Sequence, residues 1–481
     1  MRRPGGSKRP WRGGSGRRGA KKGLLSRELS AALAAEAAAE VTRLAAAAAA
    51  SLAGGAGLEP AENVIRAGLI RLGASVLGDL LAADAGYAGP RADCAAGHQA
   101  DFVSYRVKAV DTVLGRVAIR RAWYHCDQCH HGLAPRDGQL QIAGQGMSAG
   151  LRKMTARAAA AVPFAAAARL IGELAGITLT GKRAGRRAEA DGQAAAAVIE
   201  AQAAAVMAGT LALLPAAEPL PGKLYVAIDG TGVPMVAAAT EGRPGKSEDG
   251  RARTREVKMA CAFTQTTTGD DGYPVRDPAS SSYLATFAAA ADFGVLMAAE
   301  TRRRGAAQIR QLTILGDGAA WIWNLAAQHF PAATQIVDLF HAREHLHDLA
   351  NLAARLLAGH RDEWLAERLA ELDNGDITAL LAAGRDLRFL GSLAGERDKA
   401  LHYFEVNAHR MRYQHFRALG LFTGSGVVEA GCKSVIGQRL KLSGMRWTEH
   451  GATGILTLRC HEASNRWDQI WQQPHHQTPA A

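Results

Sequence analysis

The sequence is poor in cysteine and has no long apolar run, and each shortage excludes a class of protein. Six cysteines among 481 residues are too few for the disulfide framework of a small secreted domain, so a reducing compartment fits better. No stretch of about 18 residues is apolar enough to span a bilayer, because the alanine-rich stretches are short of Leu, Ile and Phe. The N-terminus also lacks the apolar region of a signal peptide. We therefore expect a soluble, cytoplasmic protein with no membrane partner.

Acidic residues are missing from the first 22 positions, which hold nine Lys and Arg. Subtracting these nine from the net charge of +12 leaves only +3 for the rest of the chain. We expect residues 1–22 to form a disordered basic tail, because a segment rich in Gly, Arg and Lys cannot bury a core. Such a tail favours polyanions, with nucleic acid as the leading candidate, although a solvated arm or a misplaced start codon would give the same composition.

Residues 90–140 differ in character from the helical N-terminal region predicted at 23–89. Two alternating, strand-like segments predict a β-hairpin. Cys94-x3-His98 precedes the hairpin and Cys126-x2-Cys129 ends it, which gives the ligand types and the layout of a zinc-ribbon-like unit. We expect Cys94, His98, Cys126 and Cys129 to hold a structural Zn²⁺. The Cys-x2-Cys half is the more specific, and three histidines could replace His98: His125, His130 and His131.

Residues 148–212 are expected to form a helical, helix-turn-helix-like DNA-binding region. A helix at 162–175 ends before Gly176, and Thr180 is placed to cap the next helix. Helix pairs that do not bind DNA are common, so that alternative stays open. Residues 214–222, with three prolines, predict a linker. The second helix would present four basic side chains to DNA: Lys182, Arg183, Arg186 and Arg187.

Three short apolar strands are each followed by an acid, namely Asp229, Asp317 and Asp338. The first strand begins at Lys223, and we expect Asp229 at its end on a glycine-rich turn. The order strand, strand, strand, helix, strand, helix, strand, helix is that of an RNase H-like α/β sheet. We expect the catalytic core in two parts, the first at 223–340 and the final part, with the Glu429 helix, at 423–465. A helical insertion at 341–422 would separate them, and a flexible tail would follow at 466–481.

These acids have the chemistry of a two-metal site. Two divalent ions can activate a water or a 3′-hydroxyl and stabilise the leaving oxygen of a phosphodiester, and Mg²⁺ needs only a few carboxylates. We assign Asp229 as the bridging ligand, with Asp317 and Glu429 each completing one ion. Asp338 is open to a simpler interpretation, as the N-cap of the helix that follows it. Near Glu429, further side chains are expected to contact DNA: Lys433, Arg439, Lys441, Arg446 and Trp447.

Four segments resemble a known family: IDGTGVP, GDGAAWIWNLA, IVDLFHAREHL and SGVVEAGCKSVIGQRLKLSGMRW. They are similar to the bacterial insertion-sequence transposases of the ISKra kind, which are DDE enzymes allied to the Mutator-like group. The resemblance covers about residues 90–465, including the ribbon segment TVLGRVAIRRAWYHCDQCHHGLAPRD. It implies an RNase H-like core with a helical insertion and a DDE triad at Asp229, Asp317 and Glu429. It also implies that Asp338 and His341 match an acid/Cys-x2-His motif that supports the active site.

The expected function is therefore DNA transposition. The protein would bind the ends of its own insertion sequence, cut them by hydrolysis with two Mg²⁺ or Mn²⁺ ions, and join the 3′-hydroxyl to target DNA. Its partners would be double-stranded DNA, at the element ends and the target, and further copies of itself on paired ends; it would be nucleoid-associated. Two alternatives remain. One is a catalytically inactive DNA-binding derivative, against which the intact Asp229, Asp317 and Glu429 argue, and the other is an RNase H-like nuclease without strand transfer.

Overall fold

The computed structural model describes residues 26–55, 57–213, 221–245 and 247–472. The expected basic tail at 1–22, most of the expected linker at 214–222 and the last nine residues of the expected C-terminal tail lie outside these ranges. The described residues divide into two compact units, which are described separately: unit 1 comprises those up to residue 151, and unit 2 comprises those from residue 152 onwards.

Unit 1 begins with two long helices and continues into a four-stranded antiparallel sheet. Its elements are α1 (Arg27–Ala53), α2 (Leu58–Ala82), β1 (Arg91–Asp93), β2 (Gln99–Thr112), β3 (Gly115–Cys126), β4 (His131–Leu133) and α3 (Pro135–Gln139). Strands β2 and β3 form the predicted hairpin. One face of the hairpin is apolar because alternate side chains of a strand point the same way, and there Val110, Val117 and Ile119 pack with Leu77 and Leu81 of α2.

Unit 2 contains a mixed five-stranded sheet. Its strands are β5 (Lys223–Pro234), β6 (Thr254–Gln265), β9 (Ser282–Thr286), β10 (Gln311–Gly316) and β11 (Thr334–Val337), and the short β7 (Thr267–Thr268) and β8 (Pro274–Val275) pair separately. The strand order is β11-β10-β5-β6-β9. Strands β11, β10 and β5 run parallel, whereas β5, β6 and β9 are antiparallel neighbours. The fold of this unit is therefore mixed α/β.

Helices surround the sheet in three groups. Before it come α4 (Ala149–Ala161), α5 (Phe164–Ala175) and α6 (Gly181–Met207), and between its strands come α7 (Ala290–Arg303) and α8 (Ala320–His329). A helical region follows β11, with α9 (Leu339–Ala353), α10 (Arg361–Asn374), α11 (Ile377–Asp386), α12 (Ser392–Asn407) and α13 (Tyr413–Ala418). The last group is α14 (Gly426–Gly431), a π-helical segment (Cys432–Gly437), α15 (Gln438–Leu440), α16 (Glu449–Ala463) and α17 (Trp467–Gln472).

The centre of the core lies on β5. Residues 224–228 of this strand are almost completely inaccessible to solvent, so the side chains on both of its faces are covered. A strand buried on both faces is apolar at every position, and this explains the uninterrupted run LYVAI. Strands β10 and β11 end in the same way, with Ile314, Leu315, Ile336 and Val337 fully buried. In each of the three segments the buried apolar run is followed by an acid: Asp229 and Asp317 are half-buried, and Asp338 is completely buried.

Two sequence predictions are wrong in this unit. Strand β5 does not end at Asp229 but continues to Pro234, because residues 229–234 pair with 254–259 of β6 in an unbroken antiparallel ladder. The segment predicted as a flexible tail from 466 contains helix α17, whose Trp467 and Ile470 are buried against the core. The capping prediction is confirmed, since the Thr180 hydroxyl accepts a hydrogen bond from the Arg183 amide at 3.2 Å and Gly176 ends α5 in the left-handed conformation.

Candidate active site and metal centre

The Cys/His group predicted from the sequence is assembled in unit 1. Cys94 follows β1 in a tight turn, where its amide donates to the His98 carbonyl and its own carbonyl accepts from Gly97. Cys126 ends β3, and Cys129 lies in the turn before β4. The four ligand atoms of Cys94, His98, Cys126 and Cys129 all lie within 4.8 Å of one another. The hairpin therefore brings two short loops together at one end of the sheet.

The distances in this cluster fit a tetrahedral metal. The Sγ atom of Cys129 lies 3.5 Å from Sγ of Cys94, 3.5 Å from Sγ of Cys126 and 3.0 Å from Nδ1 of His98. A zinc ion bound at ordinary Zn–S lengths would hold two sulfurs about 3.8 Å apart. Hydrogen bonding to the thiols of Cys126 and Cys94 raises the pKa of Cys129 to about 12, so a bound cation would relieve the cost of collecting thiolates here. The cluster could hold a metal such as zinc.

Three acids of unit 2 are level with one another across adjacent parallel strands. Ala227 of β5 pairs with Leu315 of β10, and Gly316 of β10 pairs with Val337 of β11. Continuing these registers places Asp229 beside Asp317 and Asp317 beside Asp338. Neighbouring strands are about 4.8 Å apart, so the three acidic residues form a row at one edge of the sheet. Parallel strands present their carboxyl ends on the same edge, and this explains why three separate strand-and-acid segments converge.

Short-range hydrogen bonds fix two of these carboxylates. The Asp229 Oδ1 atom accepts from the Gly230 amide at 2.6 Å, and the Asp317 Oδ1 atom accepts from the Ala319 amide at 2.8 Å. Both side chains are half-buried, so each retains access to solvent. A partly exposed, oriented carboxylate is suited to bind a hard divalent cation, which keeps some of its water.

Asp338 has a different environment, because its side chain is completely buried. Its Oδ1 accepts from the His341 amide at 2.9 Å and so caps α9, and its Oδ2 accepts from the Ser425 amide. Burial alone would raise the pKa of Asp338, but the hydrogen bonds from His341 and Ser425 outweigh it and lower the pKa below its ordinary value. The N-cap interpretation is thus correct for this residue, and the same carboxylate also joins α9 to the loop before α14.

Glu429 lies on α14 close to this junction. One ligand atom each of Asp338, His341 and Glu429 lies within 4.8 Å of the other two. The Ser425 hydroxyl donates to Glu429 Oε1 at 3.3 Å. Since the Ser425 amide is bound to Asp338, this one residue connects the two carboxylates. The helix continues from α14 into the π-helical segment, a rare geometry that recurs at functional sites.

His341 supplies positive charge at this edge. Its Nδ1 atom lies 3.5 Å from Asp338 Oδ1, and this close approach to the Asp338 carboxylate, with smaller contributions from Glu344 and Asp317, raises the pKa of His341 to about 9. His341 is therefore protonated at neutral pH in the absence of a metal.

The predicted triad is brought to one edge but does not close into a single tight group. Among the described residues, the side chains whose ligand atoms lie within 4.8 Å of one another at this edge are Asp338, His341 and Glu429. Neither Asp229 nor Asp317 belongs to this group. Asp229 lies near the same helix, because its charge adds to burial in raising the pKa of Cys432, one turn after Glu429. Asp317 is close enough to His341 to raise the pKa of that imidazole.

Several of the predicted DNA-binding side chains lie on the surface. Lys182, Arg183 and Arg186 are exposed on the first turns of α6. Arg187 is half-buried and bonds to Asp191, whose carboxylate is fully buried and also binds Arg152. Near Glu429, the exposed residues are Lys433, Lys441 and Arg446.

Two predicted DNA contacts are wrong because the residues are in the core. Arg439 has no exposed surface; its guanidinium lies over the rings of Phe164 and Trp447 and donates from Nε to the Ala159 carbonyl at 2.9 Å. Trp447 is 5% exposed, and its indole N–H donates to the Leu440 carbonyl at 3.0 Å. Neither side chain is available to a phosphate or to an extruded base. Together, Arg439 of α15 and Trp447 after it pack against Phe164 of α5.

Sequence reasoning also missed residues that build the site. Ser425 joins Asp338 to Glu429, and the Gly424-Ser425-Gly426 sequence directly before α14 was a readable signal for a constrained polar turn. Thr231, two residues after Asp229, accepts a hydrogen bond from the Lys441 ammonium at 2.5 Å. This pairing places the Lys441 ammonium on β5, at the side chain two residues after the first carboxylate. It could not be found from sequence, since the two residues lie far apart in the chain.

No protein-family model and no curated protein sequence matches the chain. Among the helices of the described residues, none combines the length and the apolar character needed to cross a membrane.

Proposed function

We propose that this chain is a metal-dependent DDE transposase with an RNase H-like core, which cuts the ends of its own insertion sequence and joins the 3′-hydroxyl to target DNA. The observation that carries the proposal is the row of Asp229, Asp317 and Asp338 at one sheet edge, with Glu429 on a helix beside it. The strand order, with three parallel strands followed by two antiparallel ones, supports the RNase H-like assignment. The four sequence segments that resemble ISKra transposases carry these same acids.

The roles follow from the environment of each side chain. Asp229, Asp317 and Glu429 would hold Mg²⁺ or Mn²⁺, because they are half-buried carboxylates on three separate elements. When bound, two such ions supply Lewis-acid activation of the attacking oxygen and stabilisation of the leaving oxygen. Both oxygens of Asp338 are bound to backbone amides. Asp338 would therefore hold the loop before α14, which carries Glu429, rather than bind metal itself. Protonated His341 is suited to neutralise an anionic phosphate oxygen near Glu429.

The remaining features fit DNA as the substrate. Lys182, Arg183 and Arg186 on α6 form an exposed basic group at the start of the helix that follows the turn, where a helix-turn-helix reader contacts DNA. Lys441 would meet the phosphates next to Asp229. Zn²⁺ at Cys94, His98, Cys126 and Cys129 would be structural, since four protein ligands leave no open position. Two element ends must be paired for transposition, so the active form would be a homo-oligomer.

The experiment compares end cleavage and end binding in acid variants. Asp317→Asn and Glu429→Gln should each abolish cleavage of labelled DNA that carries the element ends, while gel-shift affinity stays within about two-fold, because neither change touches the basic group on α6. Asp270→Asn is the matched control, since this exposed acid lies in the turn between β7 and β8, a separate pair of strands outside the five-stranded sheet, and should leave cleavage intact. Normal cleavage by either active-site variant would remove that residue from the triad. Tight binding without cleavage by the wild type would favour the inactive derivative.

A further inference from the structure

Two tyrosines of the helical region bind the main chain at the acidic ends of two strands. The Tyr403 hydroxyl on α12 donates to the carbonyl oxygen of Asp317 at 2.9 Å. The Tyr413 hydroxyl on α13 donates to the carbonyl oxygen of Val337, directly before Asp338, at 3.1 Å. These contacts join helices remote in sequence to the turns that carry the carboxylates.

The fit at the first turn is close. Gly318 has φ of +101°, a conformation that favours glycine, and a Cβ atom built there would lie 2.5 Å from Cε2 of Tyr403. The same ring stacks on His345 of α9, with centroids 3.8 Å apart. The tyrosine is thus held between α9 and the turn after β10, and its hydroxyl is directed to the Asp317 carbonyl.

The second contact lies deeper in the core. Tyr413 is fully buried, and the preceding residues of the same region add a further link, since Arg410 Nε donates to Gln335 Oε1 of β11 at 2.8 Å. Burial raises the pKa of both tyrosines, so both remain neutral hydrogen-bond donors. A buried hydroxyl of this kind holds its carbonyl partner in place, because a buried carbonyl left without a hydrogen bond would lower the stability of the folded protein.

We infer that Tyr403 and Tyr413 are positioning residues, through which the helical region at 339–418 holds two turns in place: the Asp317 turn in the geometry that binds metal, and the Asp338 turn in the position that supports the segment before α14. The inference rests on the proposed function, because it assigns Asp317 to a divalent cation. The Asp317 carboxylate has one amide partner, Ala319, on its own turn. When the Tyr403 hydroxyl is removed, this turn loses its hydrogen bond to α12, and we expect the carboxylate to be held less firmly relative to the other acids.

The test uses Tyr403→Phe and Tyr413→Phe in the full-length protein, with Tyr225→Phe as the matched control. Tyr225 is also a buried tyrosine of unit 2, and its hydroxyl donates to Gln265 Oε1 at 2.5 Å at the opposite edge of the sheet. Three quantities are measured: the Mn²⁺ affinity without DNA by electron paramagnetic resonance, the Mn²⁺ concentration that gives half-maximal cleavage, and hydrogen exchange of peptides covering residues 316–320 and 337–341.

We expect Tyr403→Phe to weaken Mn²⁺ binding about 10-fold, as is usual when an outer-shell partner of a metal ligand is removed, and to speed exchange at 316–320. Tyr413→Phe should speed exchange at 337–341, and Tyr225→Phe should change none of these quantities. Wild-type exchange and Mn²⁺ affinity in Tyr403→Phe would overturn the inference, as would equal effects of Tyr225→Phe. The hydrogen-exchange measurement needs neither metal nor DNA. If the wild type failed to cut DNA, the proposed function would be wrong, but hydrogen exchange would still decide whether the two tyrosines position these turns.

Discussion

Asp338→Asn separates a structural role of this acid from a direct catalytic one. The asparagine carbonyl oxygen can keep the bond to the His341 amide, because Asn caps a helix as well as Asp does. Its NH₂ group would then face the Ser425 amide, which is itself a donor. A buried donor is left without an acceptor, and a hydrogen bond to a charged group is removed. These two effects cost about 2–3 kcal/mol of the free energy of unfolding.

The assay is urea unfolding followed by tryptophan fluorescence, since six of the eight tryptophans lie in unit 2. Asp376→Asn is the control, because Asp376 is an exposed N-cap that accepts only from the Ala379 amide at 3.0 Å, and asparagine can replace it at a cost below about 0.5 kcal/mol. Equal stability of Asp338→Asn and wild type would refute the reasoning. Loss of cleavage with unchanged stability would make Asp338 a direct metal ligand.

The other predictions concern the cysteine cluster and the basic residues. Cys129→Ser should reduce bound zinc from one ion per chain to none by elemental analysis, whereas Cys460→Ser, at a buried thiol outside the cluster, should leave zinc unchanged. Arg439→Ala should lower the free energy of unfolding by about 3 kcal/mol, since it removes two ring contacts and a buried hydrogen bond; weaker DNA binding at unchanged stability would contradict the core assignment. The double variant Lys182→Ala, Arg186→Ala should weaken DNA binding. It should also reduce the slope of the logarithm of the binding constant against the logarithm of salt concentration by about 0.9 for each phosphate that is no longer neutralised. An unchanged slope would exclude α6 from the DNA interface.

The acidic ends of β10 and β11 could be predicted because both strands are short apolar runs that end at the residue before the acid. The same reasoning failed on β5. Gly230 and Gly232 have the local character of a turn, yet they continue a ladder whose partner residues come from β6. Pairing with a distant segment overrode local propensity.

Burial was the second limit of sequence reasoning. Arg439 and Trp447 stand in a basic segment next to Glu429, and nothing local distinguishes them from exposed neighbours such as Lys441. The partner that buries them, Phe164, comes from α5. The flexible tail predicted from 466 was a different error, because Trp467, Ile470 and Trp471 recur at helical spacing and indicate α17 in the sequence itself.

The Cys-x2-Cys pair predicted its cluster reliably, since ligand spacing within a hairpin is a local property. The sequence also allowed His125, His130 and His131 as substitutes for His98. The structure places His98 Nδ1 in the group, because the turn after Cys94 closes with hydrogen bonds that direct His98 towards Cys129.

The most direct test of the central claim is end cleavage by the wild type and Asp229→Asn, with and without Mg²⁺ or Mn²⁺. We predict cleavage at the element ends and strand-transfer products only when both the metal and Asp229 are present. Cleavage that persists in Asp229→Asn, or that needs no divalent cation, would contradict the assignment of this sheet edge as the active site.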